Sequence, residues 1–143
     1  YAIPGNGGGF LYNGRRVALS CAKTRGWQES IFADEILGSW DIEIRRDLDP
    51  QERAYLAGRY PGLSPSQMSE LEAKLSRIRT GEMVPYYIMR YGFYEGHTSY
   101  RADPLAIAFV FGLRTLAEID AAGDGDLHGA LTRHFDAEIG AGR

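Results

Sequence analysis

Apolar residues along this chain recur with a period near 3.6 in some stretches and a period of two in others, and each change of rhythm marks an element. Phe10-Leu11-Tyr12 and the run Arg15 to Cys21 flank Asn13-Gly14, a dipeptide that accepts the positive φ angles of a type I′ turn. That predicts a β-hairpin. Trp27, Ile31, Phe32, Ile36 and Trp40 fall at helical spacing, with Gly38 placed as a stop, predicting a helix from Trp27 to Leu37. Asp41-Ile42-Glu43-Ile44-Arg45 alternates, the mark of a strand with one wet face.

Two capped helices follow. Asp49-Pro50-Gln51-Glu52 reads as N-cap, N1 proline and a glutamate at N3, predicting a helix to about Arg59. Ser64-Pro65-Ser66-Gln67 repeats the device, and Leu63 can staple onto Met68. Behind it Met68, Leu71, Leu75 and Ile78 form one stripe, and Glu70 and Lys74 are spaced for an i,i+4 pair. Thr80-Gly81 is the expected end of this helix.

The stretch Val84 to Asp103 is the chemically densest in the chain. Aromatic and β-branched residues predict a central strand over Tyr86 to Phe93, with Arg90 at least partly buried; a helix is the competing reading, since aromatic runs are ambiguous by pattern. Gly92 and Gly96 then bend the chain into a loop that carries Glu95, His97, Tyr100 and Arg101. Asp103-Pro104 opens a helix whose residues Leu105 to Phe111 are apolar all round, so it belongs at the centre of the domain. Thr115 to Glu118 is a further capping box, with a helix to about Ala122, and Asp126 caps a last helix holding Leu127, Leu131 and Phe135.

These elements describe an α+β fold: a small, mainly antiparallel sheet from the N-terminal hairpin and strands near 41–45 and 86–93, covered by about five helices. Residues 1–143 read as a single domain, with a flexible Gly-rich segment over 1–9 and a frayed end over 137–143. The 44% hydrophobic and 24% charged fractions are those of a globular chain. No apolar run reaches the ~20 residues of a membrane span. A soluble domain is therefore expected, a cytoplasmic one in the simplest case, with processing ahead of Tyr1 as the other expectation. Net charge is −3 and the basic residues are scattered, so duplex nucleic acid is not an expected partner. Fourteen of the sixteen basic residues are arginine, the better fork for carboxylate and phosphate.

Candidate chemistry concentrates in the 90–103 segment. His97 has the pKa range of a general acid or base, and Glu95 can orient it or share its proton. Arg90 and Arg101 can clamp a phosphate or carboxylate, while Tyr91, Tyr94 and Tyr100 can stack on a ring or donate a hydrogen bond. The expectation is a small acid–base enzyme (a hydrolase or transferase) or a ligand-binding domain acting on a small anionic molecule or peptide. The alternative is a non-catalytic binding or protein-interaction module in which the same residues are core and rim. No Walker sequence, dinucleotide fingerprint or Gly-x-Ser-x-Gly elbow is present, so no cofactor is expected. Cys21 is the sole cysteine, and His128 and His134 are six residues apart, off a common helical face, so no metal site is expected.

Overall fold

The computed structural model describes residues 8–29, 32, 34, 35, 37–81, 90, 91 and 103–131. Four strands form one antiparallel sheet in the order β1-β2-β3-β4: β1 (Gly8–Tyr12), β2 (Arg15–Glu29), β3 (Leu37–Arg45) and β4 (Arg77–Gly81). The helices are α1 (Pro50–Arg59), α2 (Pro65–Ser76), α3 (Pro104–Val110) and α4 (Leu116–Ala122), and residues 127–131 are also helical. This is the α+β arrangement read from the sequence. Among the described residues, no helix is long and apolar enough to cross a membrane.

The hairpin forms where Asn13-Gly14 demanded it, with φ of 48° and 70° at the two turn residues. Both capping boxes also form: Asp49 Oδ1 accepts from Glu52 N at 2.7 Å, and Ser64 Oγ accepts from Gln67 N at 3.2 Å. Thr115 and Glu118 cap α4 in the same way, and Asp103 accepts from Leu105 N at 2.8 Å to start α3. Glu70 and Lys74 pair at 2.7 Å.

Four expectations are corrected. The helix expected from Trp27 to Leu37 is not there: residues 27–29 finish β2, Leu37 opens β3, and β2 and β3 pair through a register shift between Lys23 and Gln28. Cross-strand pairing overrode a spacing that also suits strands of bulky residues. The fourth strand of the described sheet lies at Arg77–Gly81, where the helix was expected to continue; α2 stops at Ser76 and the chain turns straight into β4. Arg77-Ile78-Arg79-Thr80 alternates polar and β-branched residues, which the stripe ending on Ile78 had masked. Of the stretch 86–93, Arg90 and Tyr91 are described, and both are helical and exposed, so Arg90 is not the buried strand residue expected. Gly8 and Gly9 belong to β1 instead of a flexible terminus, while residues 137–143 lie outside the described residues.

Side chains alternate across the sheet, so Val17, Ile44 and Ile78 share the face that meets the helices. They pack with Leu56, Leu71, Leu75, Phe109, Val110, Ile119 and Leu127, most of which are fully buried. Each such side chain contributes roughly 1.5–3 kcal/mol. The short, all-apolar α3 sits against α2 and β4, at the centre as its composition required. The opposite face of the sheet carries no helix among the described residues, and most of its side chains are exposed.

Candidate functional site

Two buried polar clusters fix the frame. Arg46, 5% exposed, lies just past β3 and forks onto both carboxylate oxygens of Glu52 on α1 at 3.0–3.1 Å. Its Nε donates to the Phe109 carbonyl at 3.0 Å, and Arg15 of β2 adds a 2.9 Å bond to Glu52. Sheet, α1 and α3 are thereby tied at one point. Asp120 of α4, 3% exposed, accepts from Tyr60 Oη, from Arg59 Nε at 2.8 Å and from Tyr55 Oη at 3.2 Å. Burial alone would raise the Asp120 pKa, but these donors outweigh it and hold the carboxyl below its usual value. Burial, reinforced by the Asp120 carboxylate, pushes the Tyr60 hydroxyl up to about 12. Tyr60 Oη in turn accepts from Leu127 N at 2.9 Å. No buried side-chain nitrogen or oxygen of either cluster lacks a partner within the fold, which marks both clusters as structural.

The open sheet face is built differently. Period two places Arg16, Ala18, Ser20 and Ala22 of β2 on it, together with Asp41, Glu43 and Arg45 of β3 and Arg77 and Arg79 of β4. The three small residues of β2 form a floor, and arginines stand around it. Register sets Arg45 directly opposite Arg77, with Ala18 on the other side of Arg45. One carboxylate serves two guanidinium groups here: Glu43 lies 2.9 Å from Arg79 Nε and 3.6 Å from Arg77 Nε. Arg45 has the exposed Asp47 at 3.5 Å, a contact worth little in water. Arg16 makes no ion pair among the described residues.

Two concavities follow this floor. One, of about 430 Å³, is bordered by Arg16, Ala18, Arg45 and Arg46 with Asp47 and Asp49; the other, of about 570 Å³, runs over Ser20 and Ala22 between Asp41, Glu43 and Arg79. The smaller concavity, with Arg16 and Arg45 on its rim beside Asp47 and Asp49, has guanidinium groups that can take a phosphate or carboxylate by forked, charge-assisted hydrogen bonds; the larger one is lined by two carboxylates and one guanidinium.

Of the residues singled out from sequence, Arg90 and Tyr91 are described, and both lie away from this face. Tyr91 stacks on Phe32 with ring centroids 4.0 Å apart and donates to Asp34 Oδ2 at 2.5 Å. Arg90 is exposed beside it. Glu95, His97, Tyr94, Tyr100 and Arg101 lie outside the described residues. His128 is 3.4 Å from Glu70, and no three His, Cys, Asp or Glu side chains gather to hold a metal among the described residues. The arginines of the sheet face were legible singly but not as a group, because their grouping needs β4 in register with β3.

No family model matches the chain, and neither the curated proteins nor the solved structures include a significant match.

Proposed function

We propose that this chain is an anion-binding domain that holds a phosphate- or carboxylate-bearing ligand on the uncovered face of its sheet, between Arg16, Arg45, Arg77 and Arg79. The reading rests on one observation: Arg45 and Arg77 stand directly opposite each other in the ladder, flanked by Arg16 and Arg79, with Glu43 shared between Arg77 and Arg79, the exposed Asp47 beside Arg45, and no ion pair at Arg16 among the described residues. Like charges in direct cross-strand register destabilise a sheet by up to ~1 kcal/mol. A chain of net charge −3 has no general shortage of carboxylates to neutralise them. Breaking a local rule of sheet construction with only partial internal compensation is what a functional site does. A bound anion supplies the missing charge.

The test is a thermal-shift series with inorganic pyrophosphate and citrate, against sodium chloride at matched ionic strength. The reading expects stabilisation by at least one of the two anions, falling as salt rises, and lost in Arg16→Ala/Arg45→Ala. Equal shifts in wild type and double variant would refute it.

A further inference from the structure

Among the described residues, the hairpin leaves one sheet edge without a paired strand. β1 is the outermost strand on its side, and all five of its residues are exposed. Tyr12 and Arg15 close a two-residue turn, so antiparallel alternation turns the N–H and C=O groups of Gly9 and Leu11 away from β2. Folded proteins blunt such edges with charge, proline or a bulge. Gly8–Tyr12 has none of these. Its side chains are apolar on both faces: Phe10 (41% exposed) and Tyr12 (43%) on the helix-bearing side, Leu11 (77%) on the open side.

The open side also carries a charge at this edge. Arg16 is the register partner of Leu11, yet its side chain leans across Gly9: a Cβ added there would lie 3.8 Å from Arg16 Nε. The guanidinium thus lies over β1, where no carboxylate of the described residues meets it.

We propose that this edge receives an extended acidic peptide, which joins β1 as a fifth strand. The peptide sets an aspartate or glutamate against Arg16 on the open face and alternate apolar side chains against Phe10 and Tyr12 on the other. Main-chain hydrogen bonds to Gly9 and Leu11 hold it, and the alternation of its side chains supplies the selectivity. Charge complementarity selects the occupant. A second copy of this chain would bring the uncharged Gly8–Tyr12 to the edge and leave Arg16 unsatisfied. A basic strand would be repelled. The acidic preference rests on the anion-binding reading of Arg16, whereas the strand addition stands on the edge geometry alone.

The experiment titrates capped synthetic peptides into the full chain by calorimetry, one alternating valine and glutamate and one alternating valine and lysine, with pyrophosphate titrated in parallel. The glutamate peptide binds, the lysine peptide binds at least tenfold more weakly, and the Gly9 and Leu11 amides gain protection from hydrogen exchange. Leu11→Pro removes only an outward N–H, so it abolishes peptide uptake and leaves pyrophosphate binding unchanged. A glutamate peptide N-methylated at alternate amides removes the same hydrogen bonds from the other partner and also fails to bind, so a misfolded variant does not decide the matter. Pyrophosphate binding without peptide binding overturns the strand proposal and leaves the anion-binding reading standing. Peptide binding without pyrophosphate binding does the reverse. Uptake that survives Leu11→Pro, equal affinity for the lysine peptide, or self-association of the chain with no peptide uptake each overturns the proposal.

Discussion

Arg46 holds its guanidinium carbon 3.7 Å over the ring centroid of Phe109 while donating Nε to the carbonyl of that same residue at 3.0 Å. One side chain thus grips α3 by ring and backbone together, and its remaining donors close on Glu52. The open sheet face can be polar because the opposite face is locked to the helices at this point.

Removing Arg46 leaves Glu52 in a largely buried place with Arg15 as its remaining charge partner, beside the Asp49 N–H of the capping box. Arg46→Ala should cost about 3 kcal/mol, the range for breaking a buried pair. Arg15→Ala, with a partly exposed guanidinium, should cost under about 1 kcal/mol. Urea unfolding of the two variants measures the difference.

Asp120 makes stability depend on pH. Its carboxyl is held below the usual aspartate value in the folded chain, so the unfolded chain binds the proton more readily. Its contribution is complete above the unfolded pKa and is lost as pH falls through the folded one. The Tyr60 hydroxyl works at the other end: with its pKa raised to about 12, its contribution is complete below the ordinary tyrosine value of 10.0 and fades as pH climbs toward 12. Melting temperature against pH should show an acid limb that flattens in Asp120→Asn and an alkaline limb that flattens in Tyr60→Phe.

Gly112 and Gly14 separate strain from crowding. Both have positive φ, 61° and 70°, so an alanine at either costs about 1 kcal/mol for the backbone alone. At Gly14 a Cβ meets nothing, whereas at Gly112 it comes within 3.0 Å of Arg15 Cδ, whose guanidinium is committed to Glu52. Gly112→Ala should therefore melt lower than Gly14→Ala, and Arg15→Ala should remove part of that gap. A double-mutant cycle reads it directly.

The pattern of legible and hidden features has a physical cause. Asn13-Gly14 and the capping boxes at Asp49, Ser64 and Thr115 act over four residues or fewer, so the local sequence specifies them completely. The α+β class followed from counting such elements. The strand Arg77–Gly81 and the extension of β2 to Glu29 depend on pairing between distant segments, where tertiary partners override spacing. The arginine group on the sheet face was hidden for the same reason. Arg45 and Arg77 become neighbours only once β4 is laid beside β3, whereas the tyrosines and charges of 90–103 drew notice by being adjacent in sequence.

Arg Nε–Hε resonances report individually which arginines meet the proposed anion. In a pyrophosphate titration followed by NMR, the Nε–Hε signals of Arg16, Arg45, Arg77 and Arg79 should shift together with a single saturating isotherm, while those of Arg90 and Arg101 stay in place. Shifts confined to Arg90 and Arg101 would contradict the account and return the site to the segment around His97.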